Sequence, residues 1–333
     1  MIGVIITLGE AEDGIAPANS PSRTNPGADL VKWDVLGESV LQRFLRNLEA
    51  IAPQQVAFLS DTLSSSEGNS SYVTSFTLTP CAPFSSWEEA AQAFVSQGIQ
   101  TLLLVKLNQY IEVDLADFLK FHDATASKLT QVFVGNQPIS LVLVQASELR
   151  AKGTSLRRQL AETIPQRRRY QFNGYLNPLR GLDDFRRLCD DAFADVCSLR
   201  PVGQEIAPGL YAGEDAFIHS TVTVTGPAYI GARATVAAGC VISGPVALEH
   251  GCEIDCGTSL ENCFVTHNTY VGPGLNLKNA LAGPGWLYNL EHKTVLTIHD
   301  PRLLGETRSL NFLNRAKSLL SQSWPQRSLS TFR

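Results

Sequence analysis

Between residues 218 and 260 an aliphatic side chain recurs at every sixth position: Ile218, Val224, Ile230, Val236, Ile242, Leu248, Ile254 and Leu260. Six residues of α-helix turn through about 600°, so successive hits would step by about 240° and spread over three faces. No helix buries such a pattern. Six is a multiple of two, so in extended chain the same residues share one face. Small residues precede many of them by two positions (Ala228, Ala234, Cys240, Cys252, Thr258), and glycines fall between them at Gly231, Gly239, Gly251 and Gly257. A six-residue period in extended chain is the signature of a parallel β-helix. The spacing predicts roughly four triangular coils over residues 210–285, aliphatics inward.

After Leu260 the rhythm slips and Val271–Gly272 arrives one residue early, which predicts an irregular loop over Asn262–Asn268. A strand at Lys293–Ile298 and a helix over about Ser309–Ser321 are expected to close the structure. That helix carries Leu310, Leu313, Ala316 and Leu320 on one face, suited to capping the coils or packing on a partner chain.

The first 200 residues follow a different rhythm. Gly3–Leu8, Gln55–Leu59, Thr101–Leu107, Leu129–Val134 and Ser140–Val144 read as strands, and Val40–Ile51, Ser86–Gln97 and Asp114–His122 as helices. Glu88 and Glu89 suit a helix N-terminus. Strands separated by helices predict a mostly parallel α/β sheet covered on both faces, with ligands beyond the carboxyl ends of its strands. A chain of 333 residues accommodates more than one such unit. The expected division is an α/β domain over 1–200, hexapeptide coils over 205–290 and a terminal strand and helix over 291–333.

Charge and cysteine content narrow the function classes. Twenty-seven Lys+Arg against 32 Asp+Glu leave a formal charge of −5, unsuited to a dedicated nucleic-acid binder. The apolar run Ile2–Leu8 is too short for a membrane span and has no basic region before it, so a cytoplasmic protein is expected. Seven cysteines in so large a chain do not suggest a disulfide framework. Cys252 and Cys256 form a CxxxC pair without a matching second pair, which fits small buried side chains better than zinc.

Several segments together resemble a known family. GVIITLG at Gly3–Gly9, DVLGESVLQRFLRNLE at Asp34–Glu49, LADFLKFH at Leu115–His122 and GYLNPLRGLDDFRRL at Gly174–Leu188 occur in the order of motifs of the sugar-phosphate nucleotidyltransferases, or NDP-sugar pyrophosphorylases. The resemblance spans roughly residues 1–285. It implies a Rossmann-like nucleotidyltransferase domain followed by a left-handed hexapeptide β-helix. It also implies a reaction joining a nucleoside triphosphate to a sugar 1-phosphate with release of pyrophosphate.

The family's chemistry is absent at the matching positions. Its two Mg²⁺ aspartates fall on Asn108 and Pro178, with Asn177 beside the latter. Mg²⁺ prefers carboxylate oxygens, and proline supplies no side-chain ligand. In the phosphate loop Gly9 is kept, but the family arginine falls near Asp13, with Glu10 and Glu12 close by. Three carboxylates repel a triphosphate. The nearest counterpart of the family lysine is Lys32, about two positions off. The base-binding segment reads SSWEEAAQ at Ser85–Gln92. The resemblance therefore implies a degenerate member, a pseudoenzyme with no intact catalytic set and no cofactor. Its vestigial pocket would comprise Gly9, Lys32, Asn108, Tyr175 and Asn177.

The expected function is a non-catalytic or regulatory binder of a sugar nucleotide or sugar phosphate, acting as a homo-oligomer or with an active paralogue. One alternative is an active nucleotidyltransferase with a rebuilt Mg²⁺ site. Another is a hexapeptide acyltransferase with His267, or else His250, as base. His219 reads as part of a structural turn. The arginines Arg157, Arg158, Arg167, Arg168 and Arg169 suit either a solvated loop or a phosphate contact. Trp286 and Tyr288 suit packing or stacking on a sugar ring.

Overall fold

The computed structural model describes residues 1–8, 30–59, 87–149 and 164–307. It has mixed α/β character, with more strand than helix and with parallel ladders in both parts of the chain. The expected helix over Ser309–Ser321 lies outside the described residues.

In the first part the elements run β1 (Ile2–Leu8), β2 (Asp34–Val35), β3 (Glu38–Ser39), α1 (Val40–Asn47), β4 (Gln55–Leu59) and α2 (Trp87–Ser96). They continue with β5 (Thr101–Leu107), β6 (Tyr110–Ile111), α3 (Leu115–Ala124), β7 (Leu129–Val134), β8 (Gln137–Gln145), β9 (Arg168–Phe172), β10 (Leu176–Asn177) and α4 (Leu182–Phe193). Six strands form one sheet in the order β4-β1-β5-β8-β7-β9. The β1–β4, β1–β5 and β7–β9 ladders are parallel, and the β7–β8 hairpin makes the remaining two antiparallel.

Alternation along the strands sends side chains to two cores. Val4, Ile6, Leu103 and Val105 pack with Phe44, Phe118 and Phe185 from α1, α3 and α4. Ile5 and Leu102, on the opposite face, pack with Ala90, Ala91 and Phe94 of α2. Local signals fix the helix starts. Ser39 closes a reciprocal capping box with Gln42 at α1, and the Asp114 carboxylate accepts the Ala116 and Asp117 amides at α3. The periodic run Val40–Ile51 is α-helical to Asn47 and then tightens to a 3₁₀ turn over Leu48–Ile51.

In the second part short strands stack in parallel. Leu210 pairs with Ala228 and Ala228 with Val246; Phe217 pairs with Thr235 and Thr235 with Glu253; Thr223 pairs with Val241 and Val241 with Ser259. Each step is one coil of three hexads. Ile230, Val236, Ile242, Leu248, Ile254 and Leu260 are at most 1% exposed, with Ala234, Cys240 and Cys252 among them in one core. Ile218 and Val224 belong to the first coil and are only partly buried, because no coil lies beneath them.

The expectation of an irregular loop over Asn262–Asn268 is corrected. Ser259–Val265 is one strand, with Asn262 in the left-handed region at φ 51°. The preceding coil turns its corner through Gly244 and Pro245; this one turns on Asn262 alone. One residue is lost, so Ala247 pairs with Phe264 and Ile254 with Val271. Asn and Gly tolerate this backbone, which most L-residues avoid. Beyond the last coil the chain folds back antiparallel through Trp286–Asn289 and Thr294–Thr297, and Leu304–Glu306 covers the strand Thr269–Val271.

Replacing Ile254 with Asp places an unpaired charge in a closed apolar core and is expected to cost ~3 kcal/mol or more. Val224→Asp, in the half-open first coil, is expected to cost less than half as much. Urea midpoints of the two variants check the contrast.

Candidate functional site

The carboxyl end of the six-stranded sheet is where a parallel α/β sheet offers a ligand crevice. Strand parity builds a recess there. Ile5, Thr7, Leu104, Lys106, Gln131, Ser140 and Val142 all project from the α2 face, and Trp87 at the start of α2 overhangs them, enclosing about 270 Å³. Ile5 pairs with Leu104, Thr7 with Lys106, and Gln131 with Val142, so four adjacent strands supply the floor. Lys106 is exposed and makes no ion pair among the described residues. The site thus offers one cation, hydroxyls at Thr7 and Ser140, an amide at Gln131 and an aromatic wall.

Sequence reasoning placed Trp87 within the altered base-binding segment but did not single it out, and it missed Lys106. The signal for Lys106 was present: a lysine interrupting the apolar strand TLLLVKL, on the same face as Leu102 and Leu104.

The structure brings together some of the expected residues. β6 pairs antiparallel with β10, setting Tyr110 opposite Asn177 and Ile111 opposite Leu176. The segments carrying Asn108 and Pro178 therefore adjoin this ladder. The donors do not suit Mg²⁺. Asn177 is 1% exposed; its Oδ1 accepts the Leu179 amide at 3.0 Å and its Nδ2 donates to the Asp184 carbonyl at 2.9 Å. Nearby carboxylates are already engaged: Asp184 accepts the Arg180 amide and pairs with Arg187, and Asp183 pairs with Lys293 and accepts the Tyr288 hydroxyl. Among the described residues no group of three His, Cys, Asp or Glu is arranged to hold a metal ion.

The Tyr175 hydroxyl donates to Asp191, and burial pushes its pKa well above the usual phenol range. Lys32 lies partly buried before β2. Gly9, Glu10, Glu12, Asp13, Arg157 and Arg158 lie outside the described residues. Arg167 and Arg169 stand over the Phe133 ring at 5.3 and 4.9 Å, and Arg168 is exposed on the edge strand β9.

The other candidates fall at the junction of the two parts. Trp286 is buried against Trp33, ring centroids 5.8 Å apart, and Tyr288 is buried with its hydroxyl on Asp183. Both are packing residues. His219 accepts the Thr221 amide within its own turn. Cys252 is buried and donates to the Thr266 carbonyl, whereas Cys256 is exposed. His250 and His267, from successive coils, stack with centroids 5.2 Å apart, and His250 Nδ1 donates to Asp34 Oδ2 at 2.7 Å. Burial, and secondarily the His250 ring, push the His267 pKa down.

A comparison with known proteins found no family model and no curated sequence that matches this chain. No helix among the described residues is long and apolar enough to cross a membrane.

Asn177→Ala removes an acceptor and a donor that brace the turn into α4. It is expected to destabilise the protein by about 1–3 kcal/mol, read as a lowered urea midpoint.

Proposed function

We propose that this chain is a nucleotidyltransferase-like, cytoplasmic binder of a sugar nucleotide or sugar phosphate that does not turn its ligand over. The observation that carries the reading is a contrast at the carboxyl end of the sheet. A recess there combines Trp87 with the exposed cation Lys106. The sequence resemblance aligns Asn108, just past β5, and Pro178, just past β10, with positions where the resembling enzymes carry metal-binding carboxylates.

The aromatic face suits stacking on a base or sugar ring, and the ammonium suits a phosphate. Phosphoryl transfer depends on neutralising the charge that spreads over the transferred group, and metal stabilisation supplies several kcal/mol of that. Each 1.36 kcal/mol lost is tenfold in rate. The coil stack is read here as a left-handed β-helix, the form its hexads and three-strand coils suit best, and as the surface for self-association or for an active paralogue.

The Asp34–His250 hydrogen bond gives the acyltransferase reading its one specific support. An aspartate on Nδ1 fixes the tautomer that leaves Nε2 as a base.

The test is a thermal-shift series with nucleoside diphosphate sugars, sugar 1-phosphates and acyl-CoA, run beside a pyrophosphate-release assay. A ligand that binds only the native state raises its melting temperature. Sugar nucleotides are expected to raise Tm in the wild type with or without Mg²⁺. Trp87→Ala and Lys106→Glu are each expected to reduce that shift by more than half. Pyrophosphate release at about 1 s⁻¹, within the ordinary enzyme range, would refute the non-catalytic reading. A shift with acyl-CoA alone would favour the acyltransferase.

A further inference from the structure

Two consecutive coil residues grip the β2–β3 hairpin. Leu36 and Gly37 at its tip both have positive φ, 55° and 95°, so their amides point together to one side. The Glu249 carboxylate fills that concavity, Oε1 accepting the Leu36 amide at 2.7 Å and Oε2 the Gly37 amide at 2.9 Å. Such paired amides form an anion nest. The next residue, His250, donates to Asp34 at the base of the same hairpin, and His267 stacks on its far side. On the other edge the Val202 amide donates to the Leu36 carbonyl. Any Cβ at position 37 would overlap the Tyr229 hydroxyl, so the tip fits only glycine.

We propose that this contact is a pH-operated latch between the α/β part and the coil stack, tightest in mildly acidic solution and looser as the pH rises. The geometry supplies the reason. Glu249 is 1% exposed, and a second, partly buried carboxylate, Asp34, stands close enough to act on it. Burial and Asp34 push its pKa up to about 8, against the opposing pull of the two amides and of Arg43. Arg43 does not neutralise it outright, since its guanidinium serves the Val35 and Arg200 carbonyls and Glu38. The other titratable groups facing Glu249 are Tyr229 on the neighbouring strand, Cys189 on α4 and Cys252 on its own coil, and burial keeps all three protonated.

The direction follows from proton linkage. The folded state holds a proton on Glu249 that the unfolded state releases near pH 4.5. The contribution of this group to stability is therefore greatest below pH 4.5, falls between about pH 4.5 and 8, and is flat above. His250 adds its hydrogen bond to Asp34, 2.7 Å from Nδ1 to Oδ2, at the base of the same hairpin. His267 faces His250 as a neutral ring, because burial pushes its pKa down.

Residue-resolved hydrogen exchange on the whole chain between pH 6 and 9, corrected for intrinsic exchange, tests the latch. The reference amides are Leu103 and Leu104 in β5. Protection at Leu36 and Gly37 is expected to fall at least tenfold relative to the reference as the pH rises. In Glu249→Gln it should be lower throughout but independent of pH. In Asp34→Asn, which removes a charge that pushes the Glu249 pKa up, the fall should shrink and end at lower pH, and this variant carries the test where Glu249→Gln does not fold. Protection that tracks β5 at every pH in the wild type, or a fall of unchanged size in Glu249→Gln, would overturn the proposal.

Discussion

A column of outward-facing side chains on one face of the coil stack holds the molecule together. Tyr229, Ala247, Phe264 and Leu281 lie between inward residues of the coils, yet they belong to the core of the α/β part. Phe264 meets Phe185 of α4 edge to face, with ring centroids 5.0 Å apart. This strand face of the stack is therefore dry on both sides, and the two parts share one hydrophobic core. The polar contacts at the junction are arranged around that column. Arg186 of α4, 3% exposed, reaches across to the Pro245 carbonyl and the Asn262 side chain. Burial at such a seam raises the cost of leaving a polar group unpaired.

The sequence made the coil interior plain because its constraint is local and repetitive. Every sixth residue meets the same surroundings, so the pattern survives without knowledge of partners. The docked face was equally written, but in a subtler form. Its strands read Ala-Tyr-Ile, Val-Ala-Leu, Cys-Phe-Val and Ala-Leu-Ala, apolar throughout. Another face reads Thr-Val-Thr and Val-Ile-Ser, with the middle residue inward and the flanking ones toward solvent. Uninterrupted apolarity marks a strand buried on both sides. What sequence reasoning took for irregularity after Leu260 was the loss of one corner residue, and the two flanking segments still run as one strand.

The recess at the sheet was harder to read. It depends on parity across four strands: Thr7, Lys106, Gln131 and Ser140 share a face only once the register is known. The contact between His250 and Asp34 joins residues 216 positions apart, and no local pattern announces it. Asn108 and Pro178 were singled out by motif resemblance alone; the short β6–β10 ladder sets their neighbours Tyr110 and Asn177 opposite each other.

The shared core makes each part of the chain a structural requirement of the other. A domain that merely hangs from its neighbour can be removed without baring apolar surface. Here, removing the first 200 residues would bare Tyr229, Phe264 and Leu281 as a contiguous greasy strip along the stack. A strip of that kind invites aggregation. The α/β part thus serves as the roof of its neighbour whatever it binds.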